Sequence, residues 1–356
     1  MDLSSFSASY LEAKTRFREA LIRAGGELRA YPIDLGTGED LTIDVGLLGP
    51  AGSVSAVVVS SGCHGVEGFF GSATQLQWLK NVSDRTTGLD RRVVLIHAIN
   101  PFGFAHIRRF NEDNVDLNRN FLRNIADYQG SPAGYESLDG FLNPKSAPSL
   151  FEPFRIKSLW NIWRRGLPAL KASIAGGQYE FPRGLFFGGK GPCRSTKIIQ
   201  EHFDSWISPA RDVVHIDLHS GLGKSGSVKL LLIDHVNSES HRWFEKTFGR
   251  ESIQPVTETD GVAYPVCGIL GEWIRSQMGV RSYRFAGAEY GTHDIIRVLG
   301  AVRRENRCHW YCDTNSNAAK AAKAELLECF CPAAPEWRRQ VLVSGVDIIE
   351  KCISHM

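Results

Sequence analysis

Apolar and polar positions along the chain change period several times, and each change marks an element. From Tyr10 to Ala24, Leu11, Phe17, Leu21 and Ala24 fall at mixed helical spacings and Gly25-Gly26 closes the run. This predicts an amphipathic helix stopped by glycine. Leu41-Thr42-Ile43-Asp44-Val45 alternates with the two-residue period of a strand. The mostly apolar run Val54 to Val59 has the length of a buried strand and precedes a glycine-rich turn and a helical stretch, Phe69 to Lys80. A second buried strand, Val93 to Ile96, ends before Asn100-Pro101. Val213 to His219, Val228 to Ile233 and Ser282 to Phe285 are strand-like, and Trp337 to Ser354 is helical. Short apolar strands alternating with helices predict an α/β fold, a central sheet with helices on both faces.

Between Phe121 and Asp212 the periodicity weakens. Prolines at 132, 144, 148, 153, 168, 182, 192 and 209, with the stretch Gly184 to Gly191, predict long ordered loops and short helices. No linker or internal repeat divides the sequence. The expected organisation is one domain over 1–356, with a loop-rich insertion at about 121–212 and a helical tail at about 337–354.

Composition narrows the function. Of 356 residues, 43% are hydrophobic and 22% charged, which is ordinary for a globular chain and excludes disorder. Forty-one Lys+Arg against 39 Asp+Glu leave a net charge of +2, so no overall field favours nucleic acid or an anionic membrane. The start, Met1 to Phe6, has neither a basic nor an apolar signal region, and no apolar run reaches the roughly 18 residues that span a bilayer. A cytoplasmic protein is expected. The 8 cysteines form no CxxC pair and read as scattered reduced thiols.

Two motifs are decoys. Gly221-Leu222-Gly223-Lys224-Ser225-Gly226 fits a dinucleotide fingerprint, but a strand rather than a helix follows it. No helix N-terminus would then face a pyrophosphate, and the segment is read as a turn. Cys308-His309-Trp310-Tyr311-Cys312 lacks the second Cys/His pair of a zinc knuckle and is read as an ordinary core or mobile segment.

A third pattern carries chemistry. His64-Gly65-Val66-Glu67 leaves the C-terminal end of a strand, where open α/β sheets place their sites. A borderline metal such as zinc accepts imidazole nitrogen and carboxylate oxygen, and a catalytic site needs a third protein ligand. His219, closing another strand, is the candidate. Arg109-Phe110-Asn111-Glu112-Asp113-Asn114-Val115-Asp116-Leu117-Asn118-Arg119-Asn120-Phe121, after Asn100-Pro101-Phe102-Gly103, gathers arginines suited to carboxylates and developing oxyanions.

Taken together, these motifs resemble the zinc carboxypeptidase (M14-type) superfamily of metallopeptidases. The glycine-rich form Ser60-Ser61-Gly62-Cys63-His64-Gly65-Val66-Glu67-Gly68 is similar to its DUF2817 branch, and to the aspartoacylase and succinylglutamate desuccinylase deacylases. The resemblance implies a three-layer α/β/α fold with a mixed, mostly parallel sheet, and one Zn2+ held by His64, Glu67 and His219. It further implies that Asp116 orients His64, that Arg109 faces the oxyanion and that Glu289 is the general base. Asn118 and Arg119 would grip a substrate carboxylate, and Tyr264 would be a mobile substrate-binding tyrosine. The implied substrate is a small anionic peptide or an N-acyl amino acid, with deacylation as the alternative to carboxypeptidase-like trimming and a non-catalytic zinc-binding relative as the further alternative. The sequence departs from the peptidases at Ser220-Gly221, where a tyrosine commonly follows the serine, and in its long insertion.

Overall fold

The computed structural model describes residues 3–83, 88–149, 151–255 and 267–356. Eight strands form one sheet: β1 (Glu27–Pro32), β2 (Thr42–Leu48), β3 (Ser55–Ser61), β4 (Arg92–His97), β5 (Asp212–Ser220), β6 (Val228–Leu232), β7 (Ile253–Pro255) and β8 (Ser282–Tyr290). Their order is β1-β2-β4-β3-β5-β8-β6-β7. The central pairings β4–β3, β3–β5 and β5–β8 are parallel, as is β6–β7, whereas β1–β2, β2–β4 and β6–β8 are antiparallel. The valine-rich centre of β3 is fully buried, as a strand covered on both faces must be.

The helices are α1 (Tyr10–Arg23), α2 (Gly68–Ser83), α3 (Pro101–Ala105), α4 (Tyr135–Leu142), α5 (Phe154–Arg165), α6 (Leu167–Ala175), α7 (Arg194–Ile207), α8 (Glu239–Phe248), α9 (Leu270–Gln277), α10 (Ile295–Tyr311), α11 (Asn317–Phe330) and α12 (Pro335–Ser354). The alternation of strand side chains sorts them into layers. Tyr290 of β8 meets Phe70 of α2, which also meets Trp337 of α12, while Arg284 lies over Trp243 of α8. On the opposite face His215 of β5 stacks near Phe203 of α7, and Phe285 of β8 presses on Gly271 of α9. The fold is therefore three-layered α/β/α around a mixed, mostly parallel sheet. No helix among the described residues is long and apolar enough to cross a membrane.

Two strands went unread in the sequence, and one was read too short. β1 is half exposed and ends on a proline, and β7 has only three residues. β8 was expected to stop at Phe285 but runs to Tyr290. Its small residues Ala286-Gly287-Ala288 look like loop, yet β5 and β6 pair with them on both sides. The glycines at 221–226 form a turn into β6, as expected, and Cys308 to Tyr311 lie in α10 with both cysteines free.

Candidate metal centre

The site starts from backbone. Past β3, Gly62 adopts φ 65°, and a 3₁₀ turn, Gly65–Glu67, leads into α2. The N–H groups of Gly65 and Val66 donate to the carbonyls of Arg109 and Arg108 at 3.2 and 2.8 Å. A Cβ on Gly65 would sit 2.1 Å from the carbonyl carbon of Gly103, so only glycine permits this approach. Asn100 secures the other side: its Oδ1 accepts from the Gly103 N–H (2.8 Å), and its Nδ2 donates to the Arg109 carbonyl (3.3 Å). The Asn-Pro-x-Gly and His-x-x-Glu motifs are thus two halves of one clamp.

Three side chains converge there. Nδ1 of His64 lies 2.9 Å from one oxygen of Glu67, and Nδ1 of His219 lies 3.0 Å from the other. All three are buried, and one ligand atom from each falls within 4.8 Å of the other two. Behind each imidazole stands a second carboxylate. Nε2 of His64 is 3.2 Å from Asp116, and Nε2 of His219 is 2.6 Å from Asp217. Burial alone would raise both aspartates, but Arg109 and His64 hold Asp116 well below its usual range, and His219 lowers Asp217. Burial likewise opposes ionisation of Glu67, yet the two histidines bring it down to about 2. Burial works against a proton on His219, but Asp217 and Glu67 hold its pKa well above 6.5. The cluster therefore favours positive charge at its centre.

This arrangement fits a metal ion. Nitrogen and oxygen donors suit zinc, and a carboxylate on the far nitrogen of each histidine fixes ring orientation and raises basicity. With Nδ1 protonated, His64 donates to Glu67 and accepts at Nε2 from Arg109, whose Nη2 is 2.7 Å away. With Nε2 protonated it donates to Asp116 and presents a lone pair at Nδ1, the tautomer a metal would select.

Arg109 is anchored by Asp116, its Nε donating to Oδ2 at 2.9 Å, and it lies over the ring of Phe186 at 5.3 Å. Glu289 pairs in register with His219 across β5 and β8. Its Oε1 accepts from the Leu222 N–H at 2.9 Å. Burial, reinforced by the Glu67 carboxylate, pushes its pKa up to about 7.

His64, Glu67, Arg109 and Glu289 line one cleft, open to solvent on one side, with about 950 Å³ of space including its mouth. Its walls come from the insertion (Phe141, Ile162, Leu170, Phe186) and from α10 and α11 (Leu299, Phe330). Arg108 joins these walls to the centre: its Nε donates to Glu305 of α10 at 2.8 Å, and its Nη2 to Asn114 and Asn306, each at 3.1 Å.

Asn118 and Arg119 are not among the residues lining this cleft. Asn118 Oδ1 accepts from the Leu270 N–H that opens α9 (3.2 Å), and Arg119 Nη1 donates to the Asn118 carbonyl (2.7 Å) beneath Gly177. Tyr264 lies outside the described residues. Sequence reading also missed Asp217, although His215-Ile216-Asp217-Leu218-His219 places all three polar side chains on one face of a strand.

Fold and site together describe an α/β protein with a buried His–Glu–His cluster at the C-terminal ends of parallel strands. The family described as "Protein of unknown function (DUF2817)" matches residues 6–344, and the chain belongs to it. Solved structures with a similar course include carboxypeptidase A of Helicoverpa armigera (11% identity, covering 94% of this chain and 76% of that one, TM-score 0.48). Bovine thrombin-activatable fibrinolysis inhibitor gives 12% identity over 96% of this chain and 98% of that one, with a TM-score of 0.47. A candidate metallopeptidase of Shewanella amazonensis gives 14%, 90%, 93% and 0.43 respectively. No functionally curated protein matches the chain.

Proposed function

We propose that this protein is a zinc-dependent hydrolase that cleaves an amide bond near a substrate carboxylate. The observation that carries the reading is the His64–Glu67–His219 cluster, two of whose members, His64 and Glu67, line one cleft with Glu289 and Arg109. Zinc held by the three ligands would supply Lewis acidity, polarising a carbonyl and acidifying water. Glu289 takes the proton of the attacking water as its oxygen bonds to the carbonyl carbon. The C–N bond then breaks and Glu289 passes that proton to the leaving nitrogen, giving a carboxylic acid and an amine. A pKa near 7 in the metal-free protein suits a group that must accept and return a proton. Arg109, pre-positioned by Asp116, faces the developing oxyanion. Asn118 and Arg119, beside α9 and off the lining of the cleft, are assigned to the substrate carboxylate.

Peptide trimming and deacylation of an N-acyl amino acid use the same residues. The test is a metal analysis of protein purified without chelator, followed by a zinc-loaded screen of free-acid peptides and N-acyl amino acids against amidated controls. Glu289→Gln should lower turnover by about 10²–10⁴ while leaving zinc bound. Wild-type turnover in that variant would remove Glu289 as the base.

A further inference from the structure

The cleft has walls but almost no hydrogen-bonding capacity to offer. Beyond the cluster, Arg109 and Glu289, the polar side chains among its described lining residues are Ser158 and Ser220. Both hydroxyl protons are committed: Ser158 donates to the Phe154 carbonyl at 2.8 Å and Ser220 to the Phe330 carbonyl at 2.6 Å. The nearby N–H groups of Gly221 and Leu222 are likewise engaged, with the Tyr290 carbonyl and the Glu289 carboxylate. Arg109 is the only Lys or Arg on the described lining, and it is held by Asp116.

A peptide extending through this space would bring an N–H and a C=O per residue and leave them unpaired, an expensive form of burial. A hydrocarbon chain would bring none. We infer that the cleft accommodates a long apolar acyl group, so that the substrates are N-acyl amino acids with a fatty or aryl acyl chain. This rests on the hydrolase reading above. The orientation follows from the residues assigned to the substrate carboxylate: Asn118 and Arg119 do not line this cleft, so the acyl substituent rather than the amine enters it. The leaving amine, with its carboxylate, points instead to Asn118 and Arg119 beside α9.

The experiment is a chain-length series, N-acetyl-, N-hexanoyl- and N-decanoylglycine, with a glycyl peptide matched in length to the decanoyl compound. With zinc-loaded protein, kcat/KM should rise roughly two- to fourfold per methylene until the space is filled, and the peptide should be cleaved poorly. Leu299→Trp, which narrows the cleft, should flatten the series. Equal or better cleavage of the acetyl compound, or preference for the peptide, overturns the inference while leaving the hydrolase intact. Calorimetry on metal-free protein supplies the second readout. N-decanoylglycine should bind at least tenfold more tightly than N-acetylglycine, and equal affinities overturn the inference whatever the turnover. Steep length-dependent binding with no amide cleaved would sink the hydrolase reading and keep the apolar subsite.

Discussion

Asp217→Asn separates the electronic function of the second carboxylate from simple packing. Asp217 is fully buried, 2.6 Å from Nε2 of His219, and its other oxygen accepts from Ser60 Oγ, also at 2.6 Å. Ser60 in turn lies 2.7 Å from Nε2 of His215, whose Nδ1 meets the Tyr283 hydroxyl at 2.8 Å. An asparagine of the same shape leaves this chain satisfiable. Its carbonyl oxygen accepts from His219, its amide donates to Ser60 Oγ, and the Ser60 hydroxyl turns to donate to His215. The fold should therefore persist, and what is lost is the negative charge that makes the imidazole a strong donor to metal. Removing such a carboxylate lowers metal affinity about 10–100-fold, or about 1.4–2.7 kcal/mol. Competition with a chromophoric chelator at pH 8 measures zinc affinity, and circular dichroism checks the fold. A folded variant binding zinc within about twofold of wild type would show that Asp217 does not tune the site.

Three further outcomes follow from the same geometry. Because Asp217 and Glu67 keep a proton on His219 above pH 6.5, zinc loading at pH 7 should expel it; titration in buffers of different ionisation enthalpy detects this, and a buffer-independent heat would contradict it. Free zinc at 100 times its Kd should stabilise the protein by about 2.7 kcal/mol, raising Tm by several degrees, whereas a chelator-treated sample showing the same melt would argue against a folded-state site. Gly65→Ala places a Cβ against the backbone of Gly103 and should destabilise by about 3 kcal/mol or more, measured by urea unfolding; a near-neutral result would mean the two motifs are not clamped as described.

The central strands were legible because burial on both faces forces continuous apolar runs, as in Val57-Val58-Val59 and Val93-Val94-Leu95-Ile96. The antiparallel direction of β2 and β6 was not, since strand direction is a matter of pairing rather than pattern. Glu289 was found by its motif but misplaced after a strand, because small residues conceal β8. The meeting of His64, Glu67 and His219 was readable from two strand ends and a spacing. Arg119 was singled out through the motif, and its packing under Gly177 was not legible because it depends on a loop distant in sequence. The apolar cleft was least legible, because its walls come from stretches far apart in sequence, the segment from Phe141 to Phe186, α10 and α11.

The ion pair between Arg108 and Glu305 joins parts of the molecule that would otherwise vary together. Arg108 belongs to the segment that grips the His64–Glu67 turn, and Glu305 to the helix whose other residues form the cleft wall. Anchored in this way, α10 can exchange Ile295, Ile296 or Leu299 without moving the reacting groups. Substrate preference could then drift through a lineage while the chemistry stayed constant, and new selectivities would lie only a few substitutions apart.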